Sequence, residues 1–410
     1  METGSSNDIK LQIEKLGKAI YMEIGNFSVS LSTILLTVYI MLILTLITKL
    51  TRNSYVWTVA STLQLLLIIF TTVTSLIWSF NILGYSTSMI MIFHLLRCLP
   101  KEQVHVENKA ILVTGCDRGI GYELVKRLDT IGYQVFAGCL FKGQKGEQEL
   151  VAACSTRLTT LQMDVRNREQ VKQAATSVQN HLGCNKLWAV INNAGICFIG
   201  NVEIMASEDI ENIMAINFMG PVYVCREFLP LIRRSKGHLV NVSSNAGLAP
   251  VPHMGMYCAS KAALATFSEC LRYEMKQWDV QVSTIIPSGY KTGILAYDKM
   301  AVAERWWSCA PPTVKDDFGK ECFTPVFKFN NHESTTSADL SSIVNTIVKA
   351  VSEKNAQPFY YSGFMAKTLP FVYLHLPSIL QEPAMNILAQ WFKFLPKALR
   401  EEKTVKDKEN

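Results

Sequence analysis

The segment Ala110-Ile-Leu-Val-Thr-Gly-Cys-Asp-Arg-Gly-Ile-Gly121 constrains the fold of this chain more than any other. Ala110 to Thr114 is a short apolar run rich in β-branched residues, as a buried strand requires. It runs directly into Gly115, Gly119 and Gly121, and an amphipathic pattern follows through Leu128. A strand that turns on glycines into a helix opens a strand–helix–strand unit. A tight connection of this kind needs glycine in any case, so the turn alone does not prove a ligand.

The same rhythm repeats downstream. Tyr133 to Ala137 reads as a second strand, Leu158 to Met163 as a third and Leu187 to Ile191 as a fourth. Gly237 to Val242 and Val280 to Ile286 read as the fifth and sixth, and Phe359 to Tyr361 as the last. Helical patterns separate them at 168–182, 207–233, from the Tyr257 region to Trp278, and at 337–351. Strands alternating with helices predict a parallel sheet covered on both faces. Right-handed crossovers then make it a doubly wound, Rossmann-type α/β domain over residues 108–362.

Composition says that this domain is not the whole chain. Hydrophobic residues make up 49% and charged residues 18% of the 410, an apolar balance for one soluble domain. The excess lies first in the amino-terminal part. Residues 1–26 are polar, with no signal-peptide pattern. Residues 29–48 carry no charge and reach the ~20 residues that a membrane-spanning helix needs. Lys49 and Arg52 follow, and a second uncharged run, about 56–80, reads as a second span. Met89 to Leu96 is too short to cross and reads as interfacial or packed on the next domain. A membrane region over 27–100 with about two transmembrane helices is therefore expected. The apolar excess returns at 363–399, broken by Pro370, Pro377, Pro383 and Pro396, which reads as a substrate-side or membrane-surface element. Residues 400–410 form a charged tail. The aromatic, proline-rich stretch 294–335 reads as an insertion over the carboxyl ends of the strands, where such sheets bind ligands. The net charge of +6 is scattered, so no nucleic-acid surface is expected. Eleven cysteines show no Cys-x-x-Cys pair and no zinc spacing, so no metal site is expected either.

Chemistry concentrates between Ser244 and Lys261. Tyr257 and Lys261 are four residues apart and share a helix face. A phenol loses its proton near pH ~10, and an adjacent ammonium would lower that value. Ser244 could hold a substrate oxygen beside the phenol. Upstream, the glycine turn could admit a pyrophosphate at a helix amino terminus. Asp164 ends the third strand and could face an adenine or cap a helix. Asn192-Asn193-Ala194-Gly195 ends the fourth strand in the same crevice, or simply makes a turn.

Together these residues resemble the short-chain dehydrogenase/reductase family. The motifs are Thr114-Gly-x-x-x-Gly-x-Gly121, Asp164, Asn192-Asn-Ala-Gly195, Asn217, Ser244, Tyr257-x-x-x-Lys261 and Pro287 to Thr292. Phe136-Ala-Gly-Cys-Leu140 and Cys270-Leu-Arg-Tyr-Glu-Met275 resemble its branch of hydroxysteroid, hydroxybutyrate and retinol dehydrogenases. The resemblance implies a catalytic set of Asn217, Ser244, Tyr257 and Lys261. Tyr257 would be the general acid/base, Lys261 would lower its pKa and bind the nicotinamide ribose, Ser244 would orient the substrate oxygen, and Asn217 would hold a relay water. It implies a dinucleotide held by Thr114, Gly115, Asp117, Arg118, Gly119, Ile120, Gly121, Asp164, Val165, Asn192, Ala194, Gly195, Tyr257, Lys261, Pro287, Ser288 and Thr292.

Two departures bear on the cofactor. Ser288 stands where the family has glycine after the sixth strand. The end of the second strand, Gly138-Cys139-Leu140, lacks the acid that often holds an NAD ribose, while Arg118 could meet the 2′-phosphate of NADP. The balance leans to NAD. The expected protein is a membrane-anchored oxidoreductase acting on a lipophilic alcohol or carbonyl, a steroid or retinoid. It would be a homodimer in the endoplasmic reticulum membrane, with the mitochondrial membrane as the alternative. A dehydrogenase of a small hydroxy acid such as 3-hydroxybutyrate is the alternative activity, and would draw a carboxylate clamp from Lys299, Arg305 or Lys315. A non-catalytic dinucleotide-binding membrane scaffold is the rival from another class.

Overall fold

The computed structural model describes residues 89–93, 102–295, 297–320, 337–391 and 396–399. The chain divides into two compact units, 1–101 and 102–410. The two expected membrane spans lie outside the described residues, and among the described residues no helix is long and apolar enough to cross a membrane.

The second unit is built on seven parallel strands in the order β3-β2-β1-β4-β5-β6-β7. They are β1 (Lys109–Thr114), β2 (Gln134–Cys139), β3 (Leu158–Gln162), β4 (Lys186–Asn192), β5 (His238–Val242), β6 (Gln281–Pro287) and β7 (Phe359–Ser362). β1 pairs with β2 on one side and β4 on the other, with Leu112 opposite both Phe136 and Val190. The strand order therefore reverses beside β1, which opens a crevice at the carboxyl ends of β1 and β4. The doubly wound parallel sheet expected from the sequence is present.

Alternate side chains of β1 serve the two faces, as the pleat dictates. Ile111 and Val113 pack with Leu124, Val125 and Leu128 of α1 (Gly119–Ile131) and with Ile343, Val344 and Ile347 of a later helix. Ala110 and Leu112 pack on the other face, against Val171 and Val178 of α3 (Arg168–His181). Val224, Phe228 and Ile232 of α5 (Gly220–Ser235) complete that layer. Both faces are covered, which explains why the strands read as continuous apolar runs.

Three helical features differ from the sequence reading. A short helix, α2 (Lys145–Ala153), occupies a stretch that carried no expected element. The helix expected over 207–233 is α4 (Ser207–Met214), a π-helical turn (Ala215–Met219) and α5. An apolar period cannot distinguish a π-turn from α-helix, because one wide turn barely shifts the pattern. The catalytic-motif helix α6 (Gly255–Lys276) follows, and the insertion then contains α7 (Lys299–Cys309) and α8 (Pro312–Phe318). Beyond α9 (Ser341–Ser352) come α10 (Met365–His375) and α11 (Ser378–Trp391), with Pro370 and Pro383 inside them. A proline costs one helical hydrogen bond. In α10 the site of that loss is buried, since Pro370 and Ala366 face the body of the domain.

One polar contact fastens the insertion. Asp209 of α4 is 3% exposed, and its Oδ2 accepts from Arg305 Nη2 and Trp306 Nε1, each at 2.6 Å. Trp306 is buried among Ile204, Ile213, Val314 and Phe318. Asp209→Ala would leave a buried indole N–H without its acceptor, at about 1–3 kcal/mol. Thermal unfolding of the purified chain should register that loss, and Asp209→Asn, which keeps an accepting oxygen, should recover part of it. Equal losses in both variants would mean that the oxygen is not the anchor.

Candidate active site

The crevice is closed by hydrogen bonds between the ends of β1 and β4. Thr114 Oγ1 accepts from the backbone N–H of Asn193 and of Ala194, both at 3.1 Å. Asn193 Nδ2 donates back to the carbonyls of Thr114 at 3.0 Å and Gly115 at 3.2 Å. Gly115 has φ +71°, and a β-carbon there would lie 2.8 Å from Ala194 Cα. Both the turn and the close approach therefore require glycine. Thr292, in the loop after β6, lies over Gly119, and Arg118 lays its side chain across Gly293.

These contacts leave the amino terminus of α1 open. No side chain caps it, and its first turn holds no acidic residue. The leading N–H groups of a helix have no intrahelical partner and favour an anion. The donor set fits a dinucleotide pyrophosphate. Thr114, Gly115, Gly119, Ile120 and Gly121 are in place to form that cradle.

Other expected cofactor residues have partners of their own. Asp117 Oδ2 accepts from Leu140 N and its Oδ1 from Phe141 N, both at 2.9 Å, so the carboxylate sits at the carboxyl end of β2. Arg118 is exposed. Asp164 is held by Arg166, whose Nη2 donates at 2.8 Å and Nε at 3.1 Å. Burial pushes the Asp164 carboxyl up, and the Arg166 hydrogen bonds and charge outweigh it, leaving the group below its usual value. The cap of α3 is Asn167 instead, which accepts from Glu169 N and Gln170 N. Val165 is buried against Gly220. Asn192 turns into the sheet, where its Nδ2 donates to Asn241 Oδ1 at 2.8 Å. The turn itself depends on Asn193, which the sequence places in the motif but not among the expected cofactor-binding residues. Ser288 follows Pro287 and turns its hydroxyl against Gly363, where a β-carbon would stand. The side chain that replaces the family glycine thus packs on Gly363, just past the end of β7.

The four expected catalytic residues converge. Gly195 lies beside both Asn217 Oδ1 and Lys261 Nζ, since a β-carbon on it would be 3.3 Å from one and 3.4 Å from the other. Asn217 sits fully buried in the π-turn. Its Oδ1 accepts from Ile196 N at 2.8 Å, and its Nδ2 donates to Ile196 O at 2.9 Å and to Ser260 Oγ at 3.0 Å. Ser260 Oγ in turn donates to the Tyr257 carbonyl at 2.8 Å. The amide that was expected to hold a relay water is occupied by protein groups on both donors. Ser260 was not singled out in the sequence, although it directly precedes Lys261.

Tyr257, Ser244 and Lys261 are all buried. Ser244 Oγ accepts from Ala246 N at 3.2 Å. Lys261 Nζ donates to Val242 O at 2.8 Å and lies 5.9 Å from the Tyr257 ring centre. Burial pushes the Tyr257 phenol well up, the neighbouring Cys197 thiol adds to this, and a Ser244 hydrogen bond pulls the other way. Burial also lowers the Lys261 ammonium to about 8. The expected lowering of the phenol by Lys261 is not found, because desolvation disfavours both charged forms. Tyr257 packs in an apolar cluster of Cys197, Ile199, Ala246, Val251, Met254, Cys258, Ile294 and Leu295.

The family model for short chain dehydrogenases matches residues 109–301. The human 17-beta-hydroxysteroid dehydrogenase type 2 is 40% identical over 267 residues, 64% of this chain and 69% of that protein. The chain belongs to the short-chain dehydrogenase family. D-beta-hydroxybutyrate dehydrogenase of Rattus norvegicus is 37% identical, with 62% of this chain and 76% of that protein covered. Retinol dehydrogenase 7 of Mus musculus is 32% identical, with 72% and 94% covered. Among solved structures, a short chain dehydrogenase/reductase from Burkholderia phymatum in complex with NAD matches with a TM-score of 0.56 at 21% identity. It covers 66% of this chain and 94% of that one, a likeness of fold. The protein is accordingly a nicotinamide-dependent oxidoreductase acting on CH–OH groups.

The buried lysine has a measurable signature. Its folded value of about 8 lies below the usual lysine value of 10.5. Between these values the unfolded chain binds the extra proton, so this residue's contribution to stability rises with pH and is lost as pH falls through about 8. Against Lys261→Met, which removes the titration, the wild-type advantage should grow by about 1–3 kcal/mol from pH 8 to 10. Urea unfolding at the two pH values measures it. A difference that shrinks would show that Lys261 keeps its charge in the fold.

Proposed function

We propose that this protein is a membrane-anchored enzyme that interconverts a secondary or lipophilic alcohol, a steroid or retinoid, and its carbonyl, using NAD. The apolar cluster beside Tyr257 carries this reading. A substrate oxygen placed at the phenol would rest its carbon skeleton on Ile199, Val251, Met254, Ile294 and Leu295. The carboxylate clamp that a small hydroxy acid needs finds little support. Arg305 is bound to Asp209, and Lys315 Nζ donates to Ser308 O at 3.3 Å. Lys299 alone of the three has no ion-pair or hydrogen-bond partner among the described residues, and burial lowers its ammonium. Steroid and retinol dehydrogenases among the relatives agree with the lipophilic reading.

Each residue has a task in this scheme. Tyr257 takes the alcohol proton in oxidation and returns it in reduction, while Ser244 donates to the same oxygen. The nicotinamide supplies the hydride chemistry when bound. Lys261, beside Gly195 and the Val242 carbonyl, would meet the nicotinamide ribose. Asn217 fixes Ile196 and, through Ser260, the Tyr257 backbone. The spans at 29–48 and 56–80 would anchor the domain. The reading includes a homodimer in the endoplasmic reticulum membrane, with the mitochondrial membrane as the alternative.

The preference for NAD rests on Asp117. Its carboxylate is fixed at the end of β2, although it comes from the glycine turn. An acid at that place suits a ribose 2′-hydroxyl and repels a 2′-phosphate. Arg118 is exposed and is not fixed against it.

Membranes bearing the expressed chain should oxidise a member of a steroid and retinoid panel with NAD, and should do less with 3-hydroxybutyrate. Tyr257→Phe should abolish turnover and leave NAD binding nearly intact. A chain that binds cofactor but turns over nothing in the panel would favour the scaffold. Asp117→Ser should raise the NADP-to-NAD ratio of kcat/KM at least tenfold, on the order of 1.4 kcal/mol. An unchanged ratio would remove the basis for NAD.

A further inference from the structure

We propose that the outer face of α10 and the start of α11 is seated in the surface layer of an anionic lipid bilayer. The inference extends the membrane-anchored reading, and its test separates the two. A surface helix normally turns its large apolar side chains inward. In α10 the order is reversed. Ala366 and Pro370 face the domain, where the helix packs on β6, β7 and the turn Asn245–Gly247 next to Ser244. Phe364, Met365, Phe371, Val372 and Leu374 face outward. At the start of α11 Ile379 and Leu380 do the same, and Phe364 and Ile379 are 84% and 79% exposed. Gln381 Nε2 donates to the carbonyls of Tyr373 and Leu376, which holds the two helices as one hairpin. Large apolar side chains grouped in this way mark an interaction surface.

Charge and length select the occupant. From Gly363 to Arg400 the sequence has one acid, Glu382, and four bases, Lys367, Lys393, Lys397 and Arg400. Anionic headgroups complement that excess. A second copy does not, since a twofold contact would set like charges against each other. α10 and α11 have 11 and 14 residues. Neither reaches the ~20 needed to cross, so the hairpin lies in the plane of the interface. Because α10 rests on the turn after Ser244, this face places the site's rim against the layer in which an apolar alcohol dissolves.

The test uses the full chain in liposomes of phosphatidylcholine and phosphatidylserine containing a phosphatidylcholine with a diazirine in its acyl chain. After irradiation, labelled peptides are mapped by mass spectrometry. Label is expected on peptides from 363–391, and should fall at least fivefold in the triple variant Phe371→Glu, Leu374→Glu, Ile379→Glu. Retained NAD binding shows that the variant is folded, and the wild-type map stands on its own if it is not. Label on 29–80 without label on 363–391 would overturn the proposal, as would cross-links joining α10 to a second copy. Label on 363–391 without label on 29–80 would support it while removing the anchoring reading.

Discussion

The site depends on the reciprocal hold between Thr114 and Asn193. One hydroxyl accepts two backbone N–H groups, and one amide returns two hydrogen bonds to the opposite strand end. This fixes the carboxyl ends of β1 and β4 against each other at the point where strand order reverses. The consequence runs on through the chain. Two residues past Ala194, Ile196 is gripped at both its N–H and its carbonyl by Asn217. Asn217 is tied to Ser260, and Ser260 to the Tyr257 carbonyl. The glycine turn and Tyr257 are thus linked by a short series of part-buried and buried hydrogen bonds. Buried polar groups that are fully paired specify one arrangement, and each loss is costly. The π-turn belongs to that series, because it carries Asn217 into the crevice from an otherwise regular helical segment.

Desolvation governs the electrostatics. The phenol and the ammonium are both buried, so each is biased towards its neutral form. A phenol that holds its proton is ready to donate to a carbonyl oxygen. Accepting a proton requires stabilisation of the phenolate, which a cofactor ribose held by Lys261 would assist in the proposed scheme. The apolar cluster around Tyr257 serves two ends. It keeps water from the phenol, which strengthens local electrostatics, and in the proposed scheme it would receive a hydrocarbon skeleton.

Much of this was legible in the sequence, for identifiable reasons. Strands buried on both faces read as apolar runs, and glycines mark the turn, so the sheet and its crevice followed from pattern. Tyr257 and Lys261 were found because a helix sets a four-residue spacing on one face. What escaped depends on three-dimensional partners. Asn192 and Asn193 are adjacent asparagines in one turn, and only side-chain direction assigns the sheet cross-link to the first and the turn to the second. Ser260 looks like an ordinary helical serine until Asn217 is brought against it. Asp117 lies in the glycine turn, yet its charge acts at the end of β2, which no linear spacing reveals. The prolines at 370 and 383 suggested broken segments, whereas packing on the domain sustains a helix through Pro370. Composition marks 363–399 as a surface element, but which side chains of α10 turn outward follows only from its packing on β6 and β7.

The central claim is direct hydride transfer at the crevice between a lipophilic carbinol and the nicotinamide. Its most direct test uses a steroid or retinoid alcohol carrying deuterium on the carbinol carbon, incubated with NAD and membranes bearing the chain. Deuterium should appear at a single face of the nicotinamide C4 position, in step with carbonyl formation. Carbonyl formation without deuterium in the nicotinamide, or no transfer from any substrate that the membranes bind, would contradict the account.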